Sequence, residues 1–384
     1  MGTPAPHGGK LVDRTIKEPR LSKVVEDADS LPKIAISDEK VKDIENIATG
    51  VFSPLEGFMN EEDLSSIVQE RRLASGVPWT IPIVLDVDAA QSVTGDVALT
   101  YNGKAVATMN VDDVYSFDKK RLAERTFGTL DANHPGVVKT LAMREKILGG
   151  KVELFAWVED RFSGYRFSPA QIRATIEQKN LKSVVGFQTR NVPHIGHEYL
   201  QKLALTLQDG LFVNPVIGKK KVGDFKDEVI LETYRVLLDK YYRKERVIFG
   251  ILETEMRYAG PMEAVFHAIV RKNFGCSYII IGRDHAGVGS YYGPYEAREI
   301  FAEFPDLGIA PLPFDELFYC TKCAGLASDR ICPHEGADQL RFSGTKIREI
   351  FKSGKSPPPQ FMRPEVSQVV LAHPEPFIEQ LEKN

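Results

Sequence analysis

At 384 residues, with 43% apolar and 27% charged residues, the chain is long enough for two or three domains, each with its own core, and has the balance of a soluble globular protein. A net charge of −4 and a pI near 6.1 exclude a general nucleic-acid-binding surface, so any anion site must be local. No apolar run approaches membrane-spanning length and the N-terminus lacks the apolar core of a signal peptide, so a cytoplasmic location with no membrane partner is expected.

Residues 1–37 read as a loose start leading into short strands. Helical spacing over 38–47 stops at Gly50, and Asn60 can cap a short helix through Val68. Residues 79–87 read as a strand that Pro82 confines to an edge or a bulge. Residues 97–101 and 105–109 flank Asn102-Gly103-Lys104, a strong hairpin signal because Asn-Gly readily takes positive φ. A strand at 152–158 closes a β-rich region of about 165 residues, judged from the spacing of its turn signals. Ser168-Pro169 then caps a helix continuing to Gln178. Beyond it, strand candidates at 183–187, 211–217, 246–252 and 277–282 alternate with helix candidates at 197–208, 227–242, 261–273 and 295–303. This is the pattern of right-handed βαβ units around a buried parallel sheet.

Gln188-Thr189-Arg190-Asn191-Val192-Pro193-His194-Ile195-Gly196-His197-Glu198 lies between the first of those strands and its helix. Free backbone N–H groups and the helix dipole favour an anion there, and His194 and His197, three apart, share one side of the first turn. Arg190 and Asn191 add a guanidinium and a carboxamide. Gly282-Arg283-Asp284-His285-Ala286-Gly287 follows another strand at the same sheet end, where parallel sheets bind ligands. Ser343 to Arg348 forms a third element, a hydroxyl-bearing turn opening a helix with two cations. Arg257, in the loop before Pro261, reads equally as a substrate contact or a solvated charge.

Three of the four cysteines crowd into Cys320-Thr321-Lys322-Cys323 and Cys332-Pro333-His334, which argues for a metal rather than a disulfide framework. Cys320, Cys323 and Cys332 are three ligands for a closed tetrahedral Zn²⁺ site; His334 is the fourth, with Asp329 or Glu335 as replacements. A site filled by four protein ligands is structural, because catalytic zinc keeps one position open.

In order, Ala48 to Met59, Gln188 to Glu198, Arg257-Tyr258-Ala259-Gly260-Pro261 with Glu263 to Ala268, Gly282 to Gly287 and Ser343 to Arg348 resemble the ATP sulfurylase (sulfate adenylyltransferase) family over most of the chain. The cysteine knuckle resembles the form of some prokaryotic members. The resemblance implies an α/β protein with an additional β-rich domain: a PUA-like domain at 1–167, a Rossmann-like nucleotidylyltransferase domain with a parallel sheet at 168–318, and the zinc-knuckle segment with a small C-terminal domain at 319–384. It implies that ATP and sulfate, with Mg²⁺ accompanying the ATP, give adenosine 5′-phosphosulfate and pyrophosphate in a homodimer. It places catalysis on Thr189, Arg190, Asn191, His194, His197 and Arg283, and sulfate on Gln188, Arg190 and the backbone N–H of Ala286. ATP would meet Gln188, Arg190, Asn191, His194, His197, Gly282, Arg283, Asp284 and His285, with a further contact near Leu317, where Phe314-Asp315-Glu316 departs from the family's pattern. No fused kinase domain is expected after Asn384.

Two other readings are weighed against this one. A different nucleotidylyltransferase acting on a phosphate-bearing metabolite would keep His-x-Gly-His but has no use for the Gln-Thr-Arg-Asn prefix. A non-enzymatic RNA-binding protein would need basic patches interleaved with aromatics, which the chain lacks.

Overall fold

A computed structural model describes residues 2–91, 93–159, 161–220 and 222–379. Its contacts divide the chain into two compact units: Met1–Ala174 with Met256–Ser277 and Asp284–Pro311, and Thr175–Glu255 with Tyr278–Arg283 and Leu312–Asn384.

The first unit holds a largely antiparallel six-stranded sheet. Its long hairpin joins Gly95–Tyr101 to Lys104–Tyr115 through Asn102 and Gly103, both at positive φ, as a two-residue turn of matching twist requires. Helix Glu61–Glu70 begins where its cap predicts, Asn60 Oδ1 accepting from Asp63 N, and helix Asp38–Ala48 is capped by Ser37, whose Oγ accepts from Lys40 N. Three expectations need correction. Residues 20–30 form a helix, Arg20–Ser30, rather than loose chain. The strand expected at 152–158 runs over Lys146–Leu154, leaving Trp157 47% exposed. Only Leu85–Val87 of 79–87 is strand. The preceding residues are buried extended chain: Trp79, 0% exposed, donates its indole N–H to Ile81 O at 2.6 Å and packs edge-on against Phe266. An apolar run without a clean period does not distinguish such chain from a strand.

The second unit is built on parallel strands, as expected. Val184–Thr189 pairs with Gly210–Ile217 on one side and Tyr278–Ile281 on the other. Gly210–Ile217 in turn pairs with two short strands, Val247–Phe249 and Leu252–Glu253, where one strand was expected. Leu252–Glu253, Gly210–Ile217, Val184–Thr189 and Tyr278–Ile281 follow one another across the sheet, with Ala310–Pro313 beyond the last. Chain direction across the sheet therefore reverses between Val184–Thr189 and Tyr278–Ile281. That reversal is the switch point at which open α/β sheets leave a crevice. Helix Asp227–Tyr241 buries Val229, Ile230, Tyr234 and Leu237 in the core of this unit, together with Val366 and Val370 of helix Pro364–Ala372. Each such apolar side chain contributes about 1.5–3 kcal/mol. The helix expected at 295–303 is one α-turn, Glu296–Glu299, continued by a 3₁₀ turn.

Candidate active site

In the second unit, the strand Val184–Thr189 delivers Gln188 and Thr189 to the switch point. The Thr189 hydroxyl accepts from Asn191 N at 3.1 Å, a local turn that sets the exit of Arg190 and Asn191. His194 then caps helix Ile195–Leu207, its Nδ1 accepting from His197 N at 3.2 Å. That bond requires a bare Nδ1, so the neutral His194 ring carries its proton on Nε2 and presents a donor.

The two imidazoles stack with centroids 3.7 Å apart, and Phe342 stacks on the far face of His194 at 5.2 Å. Gly196 makes the stack possible, since a Cβ there would come within 3.0 Å of both the His194 ring and Phe342. Burial, with a smaller contribution from the neighbouring His197, holds His194 well below its ordinary pKa, and burial brings His197 to about 4. Both rings are therefore neutral at pH 7, His194 with its proton on Nε2.

The third sequence element joins this group. Ser343 Oγ accepts from Lys346 N to start helix Gly344–Lys352, and Arg348 reaches Asn191 Oδ1 at 3.5 Å and Asp224 at 3.6 Å. Arg283 is exposed and donates to Glu316 Oε1 at 3.2 Å, next to Leu317, and Glu316 also takes Arg341 at 2.8 Å. Gly282 is half-buried beside it.

Two charged groups of this unit were given no role from the sequence, although Glu198 ends the Gln188–Glu198 stretch. Lys220 is 8% exposed, pairs with Asp227, and is brought to about 7, mainly by burial and partly by the nearby Arg190. Glu198, 3% exposed, accepts from Arg363 Nε at 2.9 Å, Arg363 Nη2 at 2.8 Å and Lys202 at 2.5 Å. This clamp ties the histidine-bearing helix to Arg363, the residue that precedes helix Pro364–Ala372.

The metal candidates also lie in the second unit. His334 Nδ1 is 3.4 Å from the sulfurs of Cys320 and Cys323 and 3.7 Å from that of Cys332, and the Cys323 and Cys332 sulfurs are 3.8 Å apart. A tetrahedral zinc with ordinary bond lengths has edges of roughly 3.8 Å between sulfurs and about 3.6 Å between sulfur and nitrogen. The four donors therefore fit an ion such as zinc as they stand. The alternatives for the fourth position are accounted for elsewhere: Asp329 accepts from Arg341 and Gln339, and Glu335 is exposed. Gln339 donates to His334 O at 2.8 Å, and Cys323 N donates to the Cys320 sulfur, as outer partners of metal ligands do.

In the first unit lie Asp284, His285 and Ala286. Asp284 and Ala286 have φ of 52° and 59°, left-handed values on both sides of His285, and Ala286 O accepts from Gly260 N. Strain of this kind in a non-glycine loop is found at ligand sites. Arg257 pairs with the buried Asp43 at 3.1 Å.

A family model described as ATP-sulfurylase matches residues 163–373. The chain belongs to the ATP-sulfurylase family. A second model, described as a PUA-like domain, matches residues 4–156. A protein of Hyperthermus butylicus named sulfate adenylyltransferase is 52% identical, over 97% of this chain and 97% of its own length. One of the same name from Pyrococcus abyssi is 48% identical, over 97% of this chain and 99% of its own. Among solved structures, a chain titled hexameric APS kinase from Thiobacillus denitrificans superposes with a TM-score of 0.75 at 22% identity, covering 95% of this chain and 67% of that one, a likeness of fold. Family membership bears out the sequence resemblance and favours it over the other two readings. Among the described residues, no helix is long and apolar enough to cross a membrane.

Proposed function

We propose that this member of the ATP-sulfurylase family is a sulfate adenylyltransferase. A sulfate oxygen attacks the α-phosphorus of ATP in line with the bond to the β-phosphate, and that bond breaks. Adenosine 5′-phosphosulfate forms and pyrophosphate leaves with the bonding pair. Sulfate is already ionised at neutral pH, so no general base is required. Catalysis rests on positioning two anions and on preorganised donors.

The observation that carries this reading is the His194–His197 stack at a helix N-terminus on the switch point, with Arg190 the first residue past the strand Val184–Thr189. Gln188 and Arg190 clamp sulfate, Arg190 through its two-pronged guanidinium, and Ala286 adds its backbone N–H. Thr189 and Asn191 shape the turn that holds them. His194 donates from Nε2, and His197 beside it, to the phosphate oxygens, which gain charge as the phosphorus becomes five-coordinate. Gly282, Arg283, Asp284 and His285 hold the nucleotide, with Leu317 beside it. Mg²⁺ bound with ATP neutralises charge on the β- and γ-phosphates.

Cys320, Cys323, Cys332 and His334 hold a structural Zn²⁺. The functional division is 1–167, 168–318 and 319–384, and the enzyme works as a cytoplasmic homodimer; these last assignments rest on the family. The deciding experiment is sulfate-dependent exchange of labelled pyrophosphate into ATP by the purified protein. Exchange that ignores sulfate but responds to a phosphorylated metabolite would overturn the assignment.

A further inference from the structure

Two buried side chains of the first unit, to which the proposed reaction gives no role, form a row with the half-buried His285. Helix Pro261–Asn273 carries Glu263 and His267 one turn apart, both 0% exposed. The Glu263 oxygens accept from Arg257 N at 2.9 Å and Ala259 N at 3.1 Å, and Oε1 also lies 3.4 Å from His267 Nε2. On the other edge of that ring, His267 Nδ1 is 3.2 Å from His285 Nε2. Burial would push the Glu263 carboxyl up, but the bond from His267 and those from the backbone outweigh it and keep it ionised. Burial keeps both imidazoles neutral, His285 down to about 3.

The protons in this row then have one arrangement. An ionised carboxylate facing His267 Nε2 calls for a proton on that nitrogen. A neutral ring so protonated has a bare Nδ1, and the 3.2 Å contact is attractive only if His285 Nε2 carries a proton. The remaining nitrogen of His285, Nδ1, is therefore an acceptor.

We infer that Glu263 and His267 are positioning residues that fix His285 as a hydrogen-bond acceptor, so that it receives an N–H or O–H from the nucleoside part of the substrate rather than binding phosphate. Phosphate and sulfate oxygens carry no proton to give at neutral pH. The exocyclic amine of the base and the ribose hydroxyls do. This inference rests on the proposal that the Gly282–His285 loop holds the nucleotide.

The test has two parts on the full-length, metal-loaded protein. In ¹⁵N-histidine spectra at pH 7, both His267 and His285 are expected as neutral Nε2–H tautomers; an Nδ1–H signal from His285 overturns the inference. In kinetics, His267→Leu is expected to raise the KM for ATP about 10-fold, the loss of one hydrogen bond, with kcat and the sulfate KM changed less than about 2-fold. His267→Asn, whose amide oxygen replaces Nδ1 as acceptor, is expected to recover most of that loss. The nucleotide missing the engaged donor, purine riboside triphosphate for the amine or a 2′- or 3′-deoxy-ATP for the ribose, should lose no further ground in His267→Leu. Equal rises in the KM for ATP and for sulfate would instead mean that His267 only supports the fold, and would sink the proposal. If the wild type shows no sulfate-dependent exchange, the adenylyltransferase reading fails, whereas the tautomers of the two rings still report on the relay.

Discussion

Replacing Glu198 tests whether the helix bearing the histidine stack is held by its buried clamp. The carboxylate is 3% exposed and receives two bonds from Arg363 and one from Lys202. Burial alone would raise its pKa, but these partners win and hold it below the ordinary value of 4.5. Removing one member of a fully buried pair costs about 3–5 kcal/mol. Here the cost is smaller, because the Arg363 and Lys202 side chains are 37% and 40% exposed and regain water when the carboxylate goes. Glu198→Gln keeps the shape and loses the charge, so about 2–3 kcal/mol is expected, a fall in Tm of roughly 4–10 °C for a unit of this size. Scanning calorimetry of the single variants Glu198→Gln and Arg363→Met and of the double variant gives the coupling between them. It should be about 1.5–2.5 kcal/mol, and it should disappear below the folded pKa of Glu198, since a depressed carboxylate stabilises only while ionised. A Tm for Glu198→Gln within 1 °C of wild type, or additive single effects, would refute the clamp.

Other consequences follow from the same geometry. Arg190→Ala should abolish sulfate-dependent turnover while the fold persists; near wild-type pyrophosphate release would remove Arg190 as the sulfate clamp. His194→Ala should lower kcat by ~10²–10³-fold, the usual cost of one transition-state donor, and an unchanged kcat would take it out of the mechanism. Metal analysis should find about one zinc per chain, and Cys332→Ser should lose it, with faster hydrogen exchange over 318–341 and protection of the parallel sheet retained; a metal-free wild type with the same protection would contradict the structural role. His7, 1% exposed, donates its Nε2–H to Pro78 O at 2.6 Å and is lowered by burial from 6.5 to about 4. The unfolded chain therefore takes up that proton first, and about 3 kcal/mol of stability, present above pH 6.5, is lost as pH falls towards 4. Urea unfolding of His7→Gln should show a shallower decline over that range, and an unchanged slope would refute the assignment.

Much of the parallel-sheet unit was legible in the chain itself. Buried parallel strands announce themselves as continuous apolar runs, and the polar loops that follow them at Gln188 and Gly282 stand out because charged residues at strand ends have no packing role. The helix cap at Asn60 and the Asn102–Gly103 turn were readable for a related reason: each acts on backbone groups only a few residues away. The failures were equally physical. Trp79–Val84 is apolar because it is buried, not because it is paired, and the helix Arg20–Ser30 carries Leu21, Val24, Val25 and Ala28 at helical spacing, a signal that went unread, although Ala28 alone of them is fully buried.

The sequence by itself determined the residue types and their local placement: a cap-forming histidine pair at a strand–helix junction, a glycine between them, a cysteine knuckle, and the loops in their order. Tertiary structure decided which distant groups those residues meet. Phe342 covers His194, Arg363 reaches Glu198 from 165 positions away, and His334 turns Nδ1 rather than Asp329 toward the sulfurs. His267 hands its bare nitrogen to His285. Such partners are set by strand order, helix crossing and burial, which act through space and leave no period in the chain, and they decide which nitrogen of each ring carries the proton.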